Sequence, residues 1–329
     1  MSKNILITGA AGFIGNKIVQ QLNFRDYNVT LLVRPKTTKK RLTGLSDKAE
    51  ILELDLRNIP KLRQVLADRK DTDIIHIGAI RNRPKTSKED YQKANIFATE
   101  QLALHAMRNQ AKFIFFSSVG VFGTVPESLP PDEQTRKVAD NLYHQSKIRA
   151  EAIIENYVLR GLNSVIIRPA ITYGSGDFGF PYNLIRMIDK NLIVLPAKPP
   201  LIHLANVDLL IGAVQKLLIT DFEAGKIYNI ADRNPVSLLE LADVINHELK
   251  SREFNRRLIV PNWCFEKAEK FTKMIGNKTW HCRFQLFSKS WFYDVEAAYQ
   301  DLNLRNIETT TGIRSTIEWY KKGKQSKKH

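Results

Sequence analysis

Tyr143 and Lys147 stand four residues apart in a stretch with helical patterning, so the phenol and the ammonium share one helix face. A tyrosine, with an ordinary pKa of ~10, is a poor base at neutral pH. Neighbouring positive charge favours the phenolate and lets the residue exchange a proton with a substrate oxygen. Ser118 follows Ser117 at the end of an apolar run, where a hydroxyl can hydrogen-bond that same oxygen. Each feature alone has a plain explanation, a surface pair or a strand-end turn. Together they describe proton transfer at a secondary alcohol or its ketone, with hydride transfer completing the redox step.

The hydride partner has its own signature. Thr8 to Gly15 reads TGAAGFIG, with Gly9, Gly12 and Gly15 at intervals of three between the apolar run 4–8 and the helical pattern Ile14, Ile18, Val19, Leu22. A tight turn and a close backbone approach require residues without Cβ, and the helix N-terminus then offers amide donors to a pyrophosphate. Gly9, Ala11, Gly12, Phe13, Ile14 and Gly15 are therefore candidate dinucleotide-binding residues. Arg34 ends the second strand, with Lys36, Lys39 and Lys40 following and no acid, so a ribose phosphate is expected and NADP is preferred to NAD. Asp55 and Leu56 end the third strand, where a carboxylate and an apolar side chain can meet an adenine; Gly78 and Ala79 end the fourth, where small residues admit a cofactor.

Positioning these residues calls for a regular scaffold. Apolar runs at 29–33, 51–54, 74–77, 112–117 and 164–168 alternate with helical patterns at 62–66, 91–108 and 141–159. The alternation predicts an α/β fold, a Rossmann-type doubly wound and mostly parallel sheet with helices on both faces. The stretch 125–136 carries three prolines and reads as a surface loop. The expected organisation is a dinucleotide-binding domain over 1–170, with 206–230 returning to it. A smaller substrate lobe follows from 171–205 and 231–320, and 321–329 is a basic disordered tail.

Composition sets the outer limits. At 329 residues, 43% hydrophobic and 26% charged, the chain supports two cored domains. Its most apolar region, 192–219, is broken by Pro196, Lys198, Pro199, Pro200, His203 and Asp208, so no membrane span is expected. Cys264 and Cys282 lie outside any CxxC pattern, which indicates neither a disulfide framework nor a metal site and suits a reducing compartment. A first strand starting at Asn4 leaves no room for a signal peptide ahead of the fold, so the cytoplasm is the expected address. The net charge of +16 is scattered and reads as a solvated surface or a field that gathers anionic ligands, in preference to a nucleic-acid or membrane-surface partner. A non-catalytic dinucleotide-binding scaffold meeting nucleic acid is the competing class, and the intact Ser118, Tyr143 and Lys147 set argues against it.

The ordered strings TGAAGFIG at 8, DL at 55, HIGA at 76, Asn95 and Thr99 in KANIFATEQ, FFSSVGVFG at 115, YHQSK at 143, RPAITYG at 168, NVD at 206, IYNIA at 227 and TIEWY at 316 resemble the extended short-chain dehydrogenase/reductase superfamily, in its epimerase/dehydratase group. The resemblance spans nearly the whole chain. It implies Ser118 as the catalytic hydroxyl, Tyr143 as acid/base and Lys147 as the lysine that binds the nicotinamide ribose and lowers the tyrosine's pKa. It also implies cofactor contacts at Arg168 and Pro169, and dimerisation through the helices at 91–108 and 141–159. The arginine that grips a diphosphate in sugar-nucleotide members has no counterpart in 200–208 (PLIHLANVD). LVRP at 32 and the C-terminal RFQLFSKSWFYDVEAA resemble hopanoid-associated sugar epimerases or 3β-hydroxysteroid dehydrogenase-like members. The implied activity is NAD(P)-dependent oxidoreduction or epimerisation of an alcohol or ketone. The substrate is open between a sugar nucleotide held with retained NAD and a steroid-like molecule.

Overall fold

The computed structural model describes residues 2–35, 37, 43–45, 47–81 and 86–325. The N-terminal elements are β1 (Lys3–Thr8), α1 (Phe13–Gln20), β2 (Tyr27–Val33), β3 (Glu50–Glu53), α2 (Ile59–Ala67), β4 (Thr72–His76), α3 (Lys88–Tyr91), α4 (Ala98–Arg108), β5 (Phe113–Phe116), α5 (Leu142–Val158) and β6 (Ser164–Pro169). There follow β7 (Ile171–Tyr173), α6 (Phe180–Asp189), β8 (Leu195–Pro196), β9 (Leu201–Ile202), β10 (Leu204–Asn206), α7 (Val207–Ile219) and β11 (Lys226–Ile230). The C-terminal part comprises β12 (Val236–Ser237), α8 (Leu238–Lys250), β13 (Ile259–Val260), α9 (Asn262–Met274), α10 (Lys278–Ser288), α11 (Glu296–Leu302) and α12 (Thr309–Gln325).

Seven strands pair in the order β11-β6-β5-β4-β1-β2-β3, every neighbouring pair parallel. Side chains alternate across this sheet, and both faces are apolar because helices cover both. On β1, Ile5 and Ile7 join one core with Ile18, Val19, Leu210 and Val214, while Leu6 joins the other with Leu102, Ala150 and Ile154. The strand order turns back between β1 and β4, which opens a crevice at their carboxyl ends. β7 with β10, β9 with β12 and β8 with β13 form three small two-stranded pairs. No helix among the described residues is long and apolar enough to cross a membrane.

Two expectations are corrected. The helical stretch expected from 91 begins at Lys88, where Ser87 and Asp90 form a reciprocal capping box, and it widens into a π turn at Gln92–Phe97 before α4. The tail expected to be disordered from 321 is helical as far as Gln325, because Tyr320 and Lys324 both bond Asp189 at 2.7 Å and hold the last turns of α12 against α6. Residues 326–329 lie outside the described residues, as do Lys36, Lys39 and Lys40.

Candidate active site

The glycine turn fills the crevice between β1 and β4. Gly9 has φ +75°, and a Cβ there would lie 2.7 Å from the backbone nitrogen of Gly78. A Cβ on Gly15 would lie 2.3 Å from the carbonyl oxygen of Gly9. Only glycine closes this turn and lets α1 start hard against it. No side chain caps α1 at Gly12, and no acid stands in its first turn. Its first amides therefore carry partial positive charge at the crevice, a fit for a dinucleotide pyrophosphate. Phe13 packs beside the loop after β7, its ring 3.2 Å from where a Cβ on Gly174 would sit. Leu56 meets Gly78 from the other side.

A hydrogen-bond relay fixes the approach of the two strand ends. The Gly78 N–H donates to Thr8 Oγ1 (3.0 Å), and the Thr99 hydroxyl donates to the Asn95 carbonyl (2.8 Å). Thr99 must then accept from His76 Nε2–H (2.9 Å), which leaves Nδ1 to accept from the Thr8 hydroxyl (2.6 Å). Burial and the nearby Lys147 cation push the His76 pKa down to about 3, so the imidazole stays neutral. Asn95, held in the π turn, extends the relay. Its amide donates to the Ile80 carbonyl and to Ser146 Oγ, both at 2.9 Å, and its oxygen accepts from Ile80 N–H at 2.8 Å. The Ser146 hydroxyl in turn bonds the Tyr143 carbonyl at 2.7 Å. The β4 end and the catalytic helix α5 are thereby tied together.

Ser118, Tyr143 and Lys147 lie on two elements in contact, the turn that follows β5 and the helix α5. Ser118 caps the 3-10 turn Val119–Phe122, its Oγ accepting from Gly120 N–H at 3.0 Å. A Cβ on Gly120 would collide with the His144 ring at 2.5 Å, so this turn seats directly on α5. The Ser118 side chain lies close enough to Tyr143 to favour its ionised form. Burial raises the Tyr143 pKa above its ordinary value, opposed first by the Arg81 cation and then by Ser118. Lys147, only 3% exposed, donates to the Phe116 carbonyl at 2.6 Å and lies 4.6 Å from the Phe115 ring centroid. Burial pulls its pKa down to about 7 against the attraction of Glu151. Among the described residues the cation that favours the phenolate is Arg81, a residue that sequence reasoning passed over because nothing distinguishes it within the basic run RNRPK. Arg81 also acts on Asp177, whose pKa burial has raised.

Other expected residues take different places. Arg168, anticipated at the cofactor, is fully buried and committed elsewhere. Its guanidinium forks onto Glu151 (2.9 and 2.8 Å) and donates to the Glu133 carbonyl (3.0 Å), 5.3 Å from the Phe122 ring centroid. Glu151 continues the face of Tyr143 and Lys147 by one more turn, a spacing that could have revealed it. Pro169 ends β6 and is buried; Ala79 lies just beyond Gly78, partly exposed. Asp55 accepts a forked ion pair from Arg57 (2.7 Å at the closest), and Arg57 reaches Asp90 at 2.8 Å. Arg34 is exposed and its charge reaches Asp55. In 200–208, where a diphosphate clamp is missing, His203 turns inward, donating to the Asp232 carbonyl at 2.7 Å and accepting from Tyr293 N–H at 3.3 Å. No group of three or more metal-ligating side chains occurs among the described residues.

Comparison with known proteins agrees with this arrangement. The chain is 25% identical over 284 residues to the N-acetyl-alpha-D-glucosaminyl-diphospho-ditrans,octacis-undecaprenol 4-epimerase of Escherichia coli O157:H7, covering 83% of this chain and 82% of that protein. It is 27% identical over 295 residues to a UDP-glucose 4-epimerase of Vibrio cholerae, covering 84% and 83%. The crystal structure of UDP-glucuronic acid 4-epimerase from Bacillus cereus in complex with NAD has the same fold, with a TM-score of 0.74 at 20% identity over 97% of this chain and 99% of that one. Residues 5–231, from β1 to the residue after β11, match the model of the NAD dependent epimerase/dehydratase family, and the chain is therefore a member of that family and an enzyme of the extended short-chain dehydrogenase type.

Proposed function

We propose that the enzyme inverts a secondary alcohol carbon of a diphosphate-linked sugar, oxidising it to the ketone and reducing that ketone from the opposite side while one dinucleotide stays bound. The observation that carries this reading is that Ser118 and Tyr143 are neighbours, on elements that follow or are tied to the strands beside the glycine turn: Ser118 follows β5, which pairs with β4, and Asn95 ties α5 to the end of β4. When bound there, the dinucleotide supplies hydride acceptance and return. Tyr143 takes the hydroxyl proton of the substrate and gives it back, and Ser118 holds the same oxygen. Lys147, one helical turn after Tyr143 and braced on the Phe116 carbonyl, would offer its amine to a ribose hydroxyl. Arg81 offers the cleft a positive charge for an anionic substrate, in place of the clamp absent from 200–208. The sugar-diphosphate class is supported by the substrates named for the two relatives.

A second reading, a reductase that uses NADPH and releases it each cycle, is favoured by the exposed Arg34 at the end of β2. A homodimer through α4 and α5 fits either reading, with Phe97 and Leu142 exposed on that side of the chain (45% and 41%). One experiment separates the two: denature the purified protein, identify any released dinucleotide, and titrate the untreated protein with NADH and NADPH. Stoichiometric retained NAD supports the epimerase; an empty protein that prefers NADPH supports the reductase.

A further inference from the structure

Five of the fourteen exposed large hydrophobic side chains among the described residues fall between 263 and 280, in the helical hairpin α9–α10. They are Trp263, Phe271, Met274, Ile275 and Trp280, from 49% to 77% exposed. The hairpin is closed by inward contacts. Phe265 meets Phe284 edge-on at 6.4 Å, Thr272 is buried, and Glu269 bonds Lys289 (2.8 Å) and Gln285 (3.2 Å). The core needs of both helices are therefore met on one side. On α9 the opposite side presents Trp263, Lys267, Lys270, Phe271 and Met274, at i, i+4, i+7, i+8 and i+11, where a helix at a water-facing surface is ordinarily polar.

The connecting turn is exposed: Gly276 has φ +67°, and a Cβ on it would meet no atom within 4 Å. Phe271, Met274 and Ile275 thus form an exposed apolar tip at the end of the hairpin. Its rim is cationic, with Lys267, Lys270, Lys273 and Arg283 exposed, and both tryptophans carry a cation over their rings, Lys267 at 4.6 Å from Trp263 and Arg283 at 4.9 Å from Trp280. Of the two acids on α9, Glu269 is already paired. Apolar side chains, tryptophans and lysines in this arrangement suit the headgroup boundary of a bilayer. A rim in which Lys267, Lys270, Lys273 and Arg283 outnumber the one exposed acid, Glu266, on a chain of net charge +16, is complementary to anionic lipid.

We propose that the α9–α10 tip docks the enzyme on an anionic membrane surface, with Phe271, Met274 and Ile275 entering the headgroup boundary and the surrounding lysines meeting lipid phosphates. The test is co-sedimentation of the full-length protein with vesicles of phosphatidylcholine alone and of phosphatidylcholine with phosphatidylglycerol, at low and high salt. Binding is expected to the anionic vesicles only, weakened by salt. A variant carrying Phe271→Ser, Met274→Ser and Ile275→Ser is expected to lose at least about tenfold in partition, and Lys270→Glu about fivefold or more. Both should keep the far-ultraviolet circular dichroism and dinucleotide affinity of the parent, since all four side chains are exposed. Failure to bind either vesicle overturns the proposal, as does undiminished binding by the triple variant, which would place attachment elsewhere on the basic surface. It is equally overturned if sedimentation equilibrium shows the tip joining two copies of the chain, a contact the triple variant would break.

Discussion

Lys147 donates a 2.6 Å hydrogen bond to the carbonyl oxygen of Phe116, two residues before Ser118. The buried amine therefore joins α5, which bears Tyr143, the proposed acid/base, to the strand that leads to Ser118, the proposed catalytic hydroxyl. One side chain registers both halves of the proton-transfer machinery.

That burial has a measurable cost. The folded pKa of about 7 lies below the ordinary lysine value, so the native chain holds fewer protons than the unfolded chain between roughly pH 7 and 10.5. Stability contributed by this group accordingly rises with pH across that window. The Lys147→Met variant lacks the titration and should be at least as stable as the parent near pH 7, with turnover lost. Urea unfolding of both proteins at pH 7, 8 and 9 checks the sign: the parent's midpoint should climb relative to the variant. A constant difference would show that Lys147 is not the buried titrating group.

Tyr143→Phe should reduce turnover by about 10³-fold or more while dinucleotide affinity changes little, because the hydroxyl moves the proton and the ring contributes the packing. Ser118→Ala should cost about 10²-fold, since the substrate oxygen loses one partner and Tyr143 remains. Single-turnover rates together with a dinucleotide titration separate these effects; equal losses in affinity would assign both residues to binding.

Arg81 opposes the burial that raises the Tyr143 pKa. Removing its charge with Arg81→Gln should move the rising limb of alcohol oxidation to higher pH, because the phenol then ionises less readily. It should also raise KM for an anionic substrate. Rate profiles from pH 6 to 10 decide the matter, and an unmoved limb would confine Arg81 to substrate binding.

Glu151 and Arg168 form an ion pair with neither side chain exposed, and Lys137 adds a third charge 2.9 Å from Glu151. Glu151→Gln leaves the Arg168 guanidinium buried without its counter-charge, and a loss of about 3–5 kcal/mol is expected. Denaturant titration measures it. A loss below ~1 kcal/mol would mean that Arg168 finds another partner or reaches water.

Local pattern made most of the sheet legible. Continuous apolar runs spaced by helical periodicities lead directly to seven parallel strands covered on both faces, since only that arrangement buries such runs. The glycine trio was equally legible, because closing a turn onto a helix start excludes Cβ at fixed intervals. So was the pairing of Tyr143 with Lys147, which follows from helical geometry alone. The switch from helix to π turn at Asn95 was not, because it answers to partners at Ile80 and Ser146 that are distant in the chain.

The sequence by itself determined which residues can exchange a proton and where a dinucleotide's phosphates can approach, for both depend on side-chain type and on spacing along one element. Only the tertiary structure decided how the charges are distributed. It turned Arg168 inward onto Glu151, brought Arg81 to the phenol, kept His76 neutral, and left the apolar side of α9 facing outward. These outcomes depend on desolvation and on contacts between residues far apart in the chain, and such quantities exist only once the chain has folded.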